Sequence, residues 1–497
     1  MRYTAAFDVG TTALKGVLIS DKKELAFEKS LPLETISIGE HKEQNPNDWY
    51  KAFCTLSALM VKEVPAENIR GIIMSGQMQD LIPIDDACEA LGNAVLYSDG
   101  RAEEEASRIN SLVGEDNIRR ITGNAMDASI PAAKLLWLRN HYNERYKKIK
   151  YVLGSSKDFI LQKICGRVAG DHTAASTFGL MDIHKKQWDD SLLASLSIPK
   201  EMLPELLSCE EQCGKVSQAA ENQTGFRRGT LVYTGSGDAG ASTLSARITG
   251  PGEYNIYLGT SGWIAAVSQD VINRPGVFNL AAISKGLYIN VVPFLNAGGV
   301  HKWISDLLWT AELGCPKYDY IDSLLEQSEA GSGGLLFLPY LSGERFPVMD
   351  AKIRGAFIGL NNDTTRAQMA RSCLEGVAFS IRQGFEALNT EKPKKINLVG
   401  GGAKTPVWRQ IMADVLGMPI TVLASSSEYL PSVALSSIVF IDQCLETSYN
   451  AFLTSLPATE EFTSNPSPVS QKFMNEQYLK YLKVYPAIKE LFVSGRK

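Results

Sequence analysis

Short apolar runs that end in glycine and small polar residues alternate along the chain with longer stretches of helical periodicity. That alternation predicts an α/β protein. Two of the runs share a design. Residues 5–9 lead into Gly10-Thr11-Thr12 and out through 14–19, and residues 254–258 lead into Gly259-Thr260-Ser261-Gly262 and out through 263–267. Both read as strand, tight turn, strand. One unit repeated about 250 residues apart predicts two related halves facing each other.

Between these landmarks the pattern predicts a helix over 49–64, capped by Asn47 or Asp48, and a buried strand over 69–74. The strand closes in Ser75-Gly76-Gln77-Met78-Gln79-Asp80 before another at 81–84. A strand over 93–97 precedes Ser98-Asp99-Gly100-Arg101 and a charged helix over 102–113, which Asp99 can cap. Helical patterns continue through 151. Residues 200–230, polar with Gly214, Gly225 and Gly229, read as a surface connection. A strand at 231–233 then enters Gly235-Ser236-Gly237-Asp238-Ala239-Gly240 and a helix of small residues. In the second half, a strand at 287–294 is followed by a Gly298-Gly299 turn that opens a helix over 300–308. A long amphipathic helix covers 366–388. A strand at 396–399 ends in Gly400-Gly401-Gly402-Ala403-Lys404 before a helix at 407–416. A Pro/Ser loop at 460–470 precedes a closing helix over 471–491.

At 497 residues the chain is too long for one core, and 44% hydrophobic residues are ample for two. A net charge of -5 gives no reason to expect nucleic acid or an anionic membrane as partner. No apolar run is long enough to span a bilayer, and Asp8 and Lys15 interrupt the N-terminal one, so a soluble cytoplasmic protein is expected. The eight cysteines are scattered, without zinc or disulfide spacing, and the five histidines show no metal-ligand pattern.

The chemistry concentrates at glycine-rich turns. Bare N–H groups and hydroxyls at Gly10, Thr11 and Thr12, and at Gly259, Thr260 and Ser261, suit phosphate oxygens. The strand-turn-helix at Gly401, Gly402 and Ala403 suits a nucleotide, and the glycine turn at Gly298 opens a helix in the same manner. Asp238, at a strand-to-helix junction, is ionised at neutral pH and placed to accept a proton. Asp8, at the other tip, offers the hard oxygen that Mg²⁺ prefers. Gln77, Met78 and Gln79, at a strand end, are substrate-contact candidates. Gly235-x-Gly237-x-x-Gly240 formally matches a dinucleotide fingerprint, but a carboxylate inside the loop would repel a pyrophosphate. There is no Walker loop. Phosphoryl transfer, which needs positioning and charge neutralisation, fits the pieces better.

These residues resemble the FGGY carbohydrate kinases over nearly the whole chain, and within them look most like xylulose kinases. The matching stretches are Asp8-Val9-Gly10-Thr11-Thr12, Glu43-Gln44-Asn45-Pro46, Ser75-Gly76-Gln77-Met78, Gly237-Asp238, Leu258-Gly259-Thr260-Ser261-Gly262, Pro339-Tyr340-Leu341-Ser342-Gly343-Glu344-Arg345, Leu374-Glu375-Gly376-Val377-Ala378, and Gly400-Gly401-Gly402-Ala403 with Trp408-Arg409-Gln410. The resemblance implies two actin-like domains of ribonuclease-H type, 1–248 with the sugar site and catalytic Asp238, and 249–497 with the ATP site. It implies ATP with Mg²⁺, phosphorylation of a ketopentose hydroxyl such as that of D-xylulose, and a homodimer. Asp238 would be the base and Asp8 the metal ligand.

The chain departs from similar xylulose kinases where sugar specificity should lie. Those carry His and Gly where this chain has Gln79 and Asp80, Asn where it has Ala239, and Asn-Asp-Gln-Arg where it has Ser98-Asp99-Gly100-Arg101. Asp99 thereby joins the substrate-facing candidates. The stretch 428–437 also lacks a glycine usual in similar enzymes. Another ketose, a polyol or a sugar acid are alternative substrates. An actin-like ATPase without a sugar is the alternative class. A glycerol kinase is disfavoured, because such enzymes carry Arg-Glu near the Gln77 turn.

Overall fold

The computed structural model describes residues 1–39, 41–388, 393–423, 429–456 and 461–492, so Glu428, at the start of the glycine-poor stretch, and Glu460, at the start of the Pro/Ser loop, lie outside the described residues. Two sheets share one wiring. The first contains β1 (Tyr3–Val9), β2 (Ala13–Ser20), β3 (Leu25–Pro32), β4 (Ile69–Gly76) and β5 (Leu231–Tyr233), in the order β5-β4-β1-β2-β3. The second contains β6 (Tyr254–Leu258), β7 (Gly262–Ser268), β8 (Tyr288–Phe294), β9 (Ile396–Val399) and β10 (Ile420–Leu423), in the order β8-β7-β6-β9-β10. In each, the first three strands are antiparallel and the last two run parallel to the first. The repeated tip is therefore the visible corner of a repeated fold.

β1 and β4 are near-continuous apolar runs because helices cover both faces of their sheet. On one face, helix Pro46–Glu63 turns Trp49, Phe53, Leu56 and Met60 toward Phe7 and Leu14 at helical spacing. Its cap is Asn45, whose side chain accepts from the Asn47 amide at 3.0 Å, not Asn47 or Asp48. Pro46 fixes the first helical φ and sets the start one step earlier. The other face is covered by helix Asp238–Ser245 and by Leu430–Leu435, Ser437–Asp442 and Tyr449–Thr454 from late in the chain. Their Val433, Leu435, Val439 and Phe440 share a core with Ala6, Val17, Ile19 and Ile73. A cut between 248 and 249 thus separates the two sheets but leaves part of the first core on the far side.

Residues 200–230 are not a surface connection. Glu205–Leu207 pairs with Ala169–Asp171, Gln212–Lys215 forms the sheet edge beside β5, and helix Gln218–Thr224 buries Ala220 in the first core. An edge strand with one solvated side reads as loop in a polarity pattern. The strand at 93–97 shortens to Ala94–Val95, and Tyr151 opens a strand, Tyr151–Leu153. No helix among the described residues is long and apolar enough to cross a membrane.

Candidate active site

Asp8 lies near the end of β1. Asp238 opens its helix directly after Ser236–Gly237, which pairs with Ser75 and Gly76 at the end of β4. Both carboxylates therefore sit at the carboxyl ends of parallel strands that flank β4, where open α/β sheets place ligands. Gly235 makes the approach possible: it holds φ +70°, and a Cβ there would run into the Met74 carbonyl. The Ser75 hydroxyl donates to Asp8 Oδ1 at 2.7 Å. Loss of hydration nonetheless raises the Asp8 carboxyl above its ordinary range, with Ser75 and Lys15 acting against the rise. Asp238 opens into the cleft, so its side chain is accessible, yet the walls strip much of its hydration. That loss, followed by the nearby charge of Asp8, pushes it up to about 7 against the pull of the Ala239 amide.

A buried ion cluster lies beneath. Asp171 Oδ1 accepts from the Gly237 amide at 3.2 Å and from Ala174 at 3.0 Å. Its Oδ2 lies 2.9 Å from Lys157 Nζ, which also bonds Asp158 at 2.6 Å. From the residue before Lys157, the Ser156 hydroxyl donates to the Val9 carbonyl at 2.7 Å. One helix start is thus tied to the strand end beside Asp8 and to the residue preceding Asp238. Removing one partner of such a pair strands a buried charge, which costs roughly 3–5 kcal/mol.

A cavity of about 210 Å³ opens in front of Asp238. Met78, Gln79, Tyr97 and Thr177 form its wall on the first half; Trp263, Phe278, Pro293 and Arg345 form the wall on the second. Trp263 is held by its cross-strand partner Tyr257, stacked at 4.1 Å. Sequence reasoning missed Tyr97, Trp263, Phe278 and Arg345 as lining residues. The signals were present: Trp263 follows the second glycine turn directly, and Arg345 ends Gly343-Glu344-Arg345.

Two sequence candidates fall elsewhere. Gln77 does not face the cavity; it is 1% exposed. Its Oε1 accepts from the Thr11 hydroxyl at 2.6 Å, and its Nε2 donates to Gln44 at 3.2 Å. Gln44 in turn donates to the Thr11 carbonyl at 2.6 Å and accepts from Trp49 at 2.9 Å. Gln77 therefore braces the Gly10–Thr12 turn from behind. Asp99 neither lines the cavity nor caps a helix. Burial opposes its ionisation, but three hydrogen bonds from Arg101, two from the guanidinium and one from its amide, and one from the Lys42 amide hold its carboxyl below the usual range. Arg101 also bridges to Glu43 at 2.8 Å.

Of the remaining turn residues, Thr12, Thr260 and Ser261 are exposed and Gly10, Thr11 and Gly259 half-buried. Helix Gly298–Leu308 starts against the second turn: the Gly298 amide donates to the Gly259 carbonyl at 2.7 Å and Gly299 to Thr260 at 2.8 Å. Gly298 therefore buttresses this turn, with its own N–H already bonded. Gly402 and Ala403 are buried, whereas the space a side chain would take on Gly401 is open, so a flat ring can approach the backbone there. Among the described residues, no group of three or more His, Cys, Asp or Glu is poised to hold a metal. The single hard carboxylate of Asp8, beside the Gly10–Thr12 turn, suits Mg²⁺, which keeps waters and takes its other oxygens from phosphates.

The chain matches the FGGY family of carbohydrate kinases, N-terminal domain over residues 3–245 and C-terminal domain over 254–430. It is 30% identical to a xylulose kinase of Staphylococcus xylosus, covering 85% of this chain and 87% of that one. It is 29% identical to a gluconokinase of Bacillus subtilis (strain 168), over 84% of each. The crystal structure of ligand-bound xylulose kinase from Lactobacillus acidophilus superposes with a TM-score of 0.92 at 26% identity, over 99% of both chains. The duplicated sheets are the actin-like, ribonuclease H-like domains of that fold, and the chain belongs to the FGGY family of carbohydrate kinases, as an ATP-using sugar kinase.

Proposed function

We propose that the enzyme transfers the γ-phosphoryl group of ATP to a hydroxyl of a ketopentose such as D-xylulose, bound in the cavity between the halves. The observation that carries this reading is Asp238, a carboxylate lifted to about 7 and facing a cavity walled by both halves. Asp238 accepts the proton of the sugar hydroxyl as the oxygen attacks, an assistance typically of about 10²- to 10⁴-fold. Asp8 would hold Mg²⁺, whose charge would offset that of the phosphate oxygens. The turns at Gly10–Thr12 and Gly259–Ser261 position those phosphates, and Gly401 offers bare backbone to the adenine. Met78, Gln79 and Trp263 bound the sugar. Closure of the two walls would exclude water that otherwise wastes ATP.

A sugar acid is a second reading. It is supported by the Arg345 side chain in the wall, a guanidinium suited to a carboxylate, and by the gluconokinase among the relatives. An ATPase without a sugar is disfavoured, since it needs no such cavity. The test is ADP release from ATP and Mg²⁺ across pentuloses, hexuloses, polyols and sugar acids, with Asp238→Ala as control. Stimulation by one class, reduced at least about 10²-fold in a folded Asp238→Ala, is the expected result. Sugar-independent hydrolysis, or an Asp238→Ala variant of undiminished activity, overturns the proposal.

A further inference from the structure

Lys134, on helix Pro131–His141, is fully buried and does not itself line the cavity in front of Asp238. Its ammonium donates to the Gln79 carbonyl at 2.8 Å and to the Leu96 carbonyl at 2.6 Å. Gln79 and the residue after Leu96, Tyr97, both reach into the cavity in front of Asp238. The two segments are antiparallel and joined by a bridge: Leu81 and Val95 exchange amide hydrogen bonds of 2.9 and 3.0 Å. Two residues further, Gln79 would lie opposite Tyr97. There the ladder stops, the Asp80 amide is drawn to Gly154 at 3.2 Å, and the Lys134 ammonium joins the strands instead.

Gln79 holds φ +62°, a left-handed conformation that a residue with a Cβ keeps only when its surroundings over-determine it. Asp80 is fully buried and is the carboxylate acting most strongly on Lys134. The Tyr97 amide and the Gln77 carboxamide are near Asp80 but outside hydrogen-bonding geometry. Burial raises the Asp80 carboxyl well above its ordinary range, with Lys134 acting against the rise, so the ammonium is held chiefly by the two carbonyls.

We propose that Lys134 is a positioning residue that sets sugar selection: by clamping the Gln79 and Leu96 carbonyls it fixes where the Gln79 and Tyr97 side chains stand in the cavity. This rests on the sugar-kinase reading of that cavity. Without the ammonium, the Gln79 and Leu96 carbonyls lose a charged donor and Gln79 is released from its left-handed conformation. Lys134 bonds the Gln79 and Leu96 carbonyls and none of the residues assigned to phosphate and proton transfer, so the effect falls on the sugar.

The test uses Lys134→Met in the full chain, with D-xylulose and D-gluconate as probes and sugar phosphate as the product measured. The KM of the better probe should rise about tenfold or more, since small misplacements of a positioning group are costly. The preference between the probes should shrink, while kcat and the KM for ATP stay within about threefold of wild type. A folded variant with wild-type KM and preference overturns the inference, as does one in which kcat and both KM values fail together. If the Met variant does not fold, Lys134→Gln keeps an uncharged amide donor on a shorter stem, and a partial rise in sugar KM is expected; wild-type values in that variant overturn the inference. Hydrogen exchange of residues 79–81 and 95–97 reads the clamp without any sugar. Protection there should fall about tenfold in either variant, and unchanged protection overturns the inference whatever the activity. Absence of sugar stimulation in the wild type, by contrast, overturns the sugar-kinase reading.

Discussion

A carboxylate that must take a proton near neutral pH works best when its own proton affinity is close to that pH. Asp238 is brought there by lost hydration and by the charge of Asp8, which raise it to about 7. Below that value it is protonated and cannot act as base. Sugar-dependent turnover (kcat/KM) should therefore fall by about tenfold per pH unit below 7 and level off above it, measured from pH 5 to 8. Because Asp8 contributes to the rise, saturating Mg²⁺ should move this limb to lower pH. A limb that stays near the ordinary carboxylate range of about 4, with or without Mg²⁺, removes Asp238 from the role of base. The same shift has the opposite sign for stability. The unfolded Asp releases its proton near pH 3.9, so between about 4 and 7 the folded form holds the extra proton, and stability is lost as pH rises through that window. Asp238→Asn, which never ionises, should gain melting temperature over wild type at pH 8 and gain less at pH 5. An equal difference at both values would mean that the cleft does not perturb this carboxylate.

At the scale of elements, the two glycine hairpins were legible because strand, turn and strand are contiguous and their residue types leave few alternatives. Helix Arg366–Leu388 was legible to the residue, since a long apolar stripe carries its own period. The edge strand Gln212–Lys215 was not, because only its pairing with β5 makes it a strand. Gln77 and Asp99 were legible as unusual polar residues at strand ends. Whether such residues face ligand or protein depends on partners far away in sequence: Gln77 bonds Thr11 and Gln44, and Asp99 bonds the Lys42 amide. Lys134 and Lys157 look like surface lysines for the same reason, though both are fully buried. Gly298 gives a test at this scale. A Cβ on it would run into the Gly259 carbonyl, so Gly298→Ala must part the helix start from the Gly259–Ser261 turn. Overpacking of this kind costs about 1–3 kcal/mol, and any part of it that reaches the turn raises the KM for ATP by up to about 10²-fold, with sugar KM within about twofold. Steady-state kinetics with each substrate varied would decide it. Unchanged ATP affinity in a folded variant would show that this turn does not hold the nucleotide.

Across the whole molecule, the two walls of the cavity belong to different halves, so their spacing depends on how the halves are joined. Asn124 is a principal fastener. From the first half, its Nδ2 donates to Ser176 at 2.9 Å and across to the Asn279 carbonyl at 2.8 Å, while its Oδ1 accepts from the Asn279 amide at 2.8 Å. Asn279 lies in the edge strand Phe278–Ala281, and its neighbours Phe278 and Leu280 line the cavity opposite Asp238. This buried carboxamide, with Thr173 and Ser176 bonded to Ala281 in the same strand, sets the register between the base and the facing wall. Asn124→Ala leaves the Asn279 amide and carbonyl without this partner at a buried joint, a loss of about 1–3 kcal/mol that calorimetry should detect as a lower melting temperature. The functional consequence is more specific. A wall that no longer seats against the sugar admits water beside the phosphate, so the ratio of ADP to sugar phosphate should rise above unity while the KM for ATP is unchanged. If the variant melts lower but still makes one sugar phosphate per ADP, the joint supplies stability alone, and exclusion of water must come from the residues of the cavity itself.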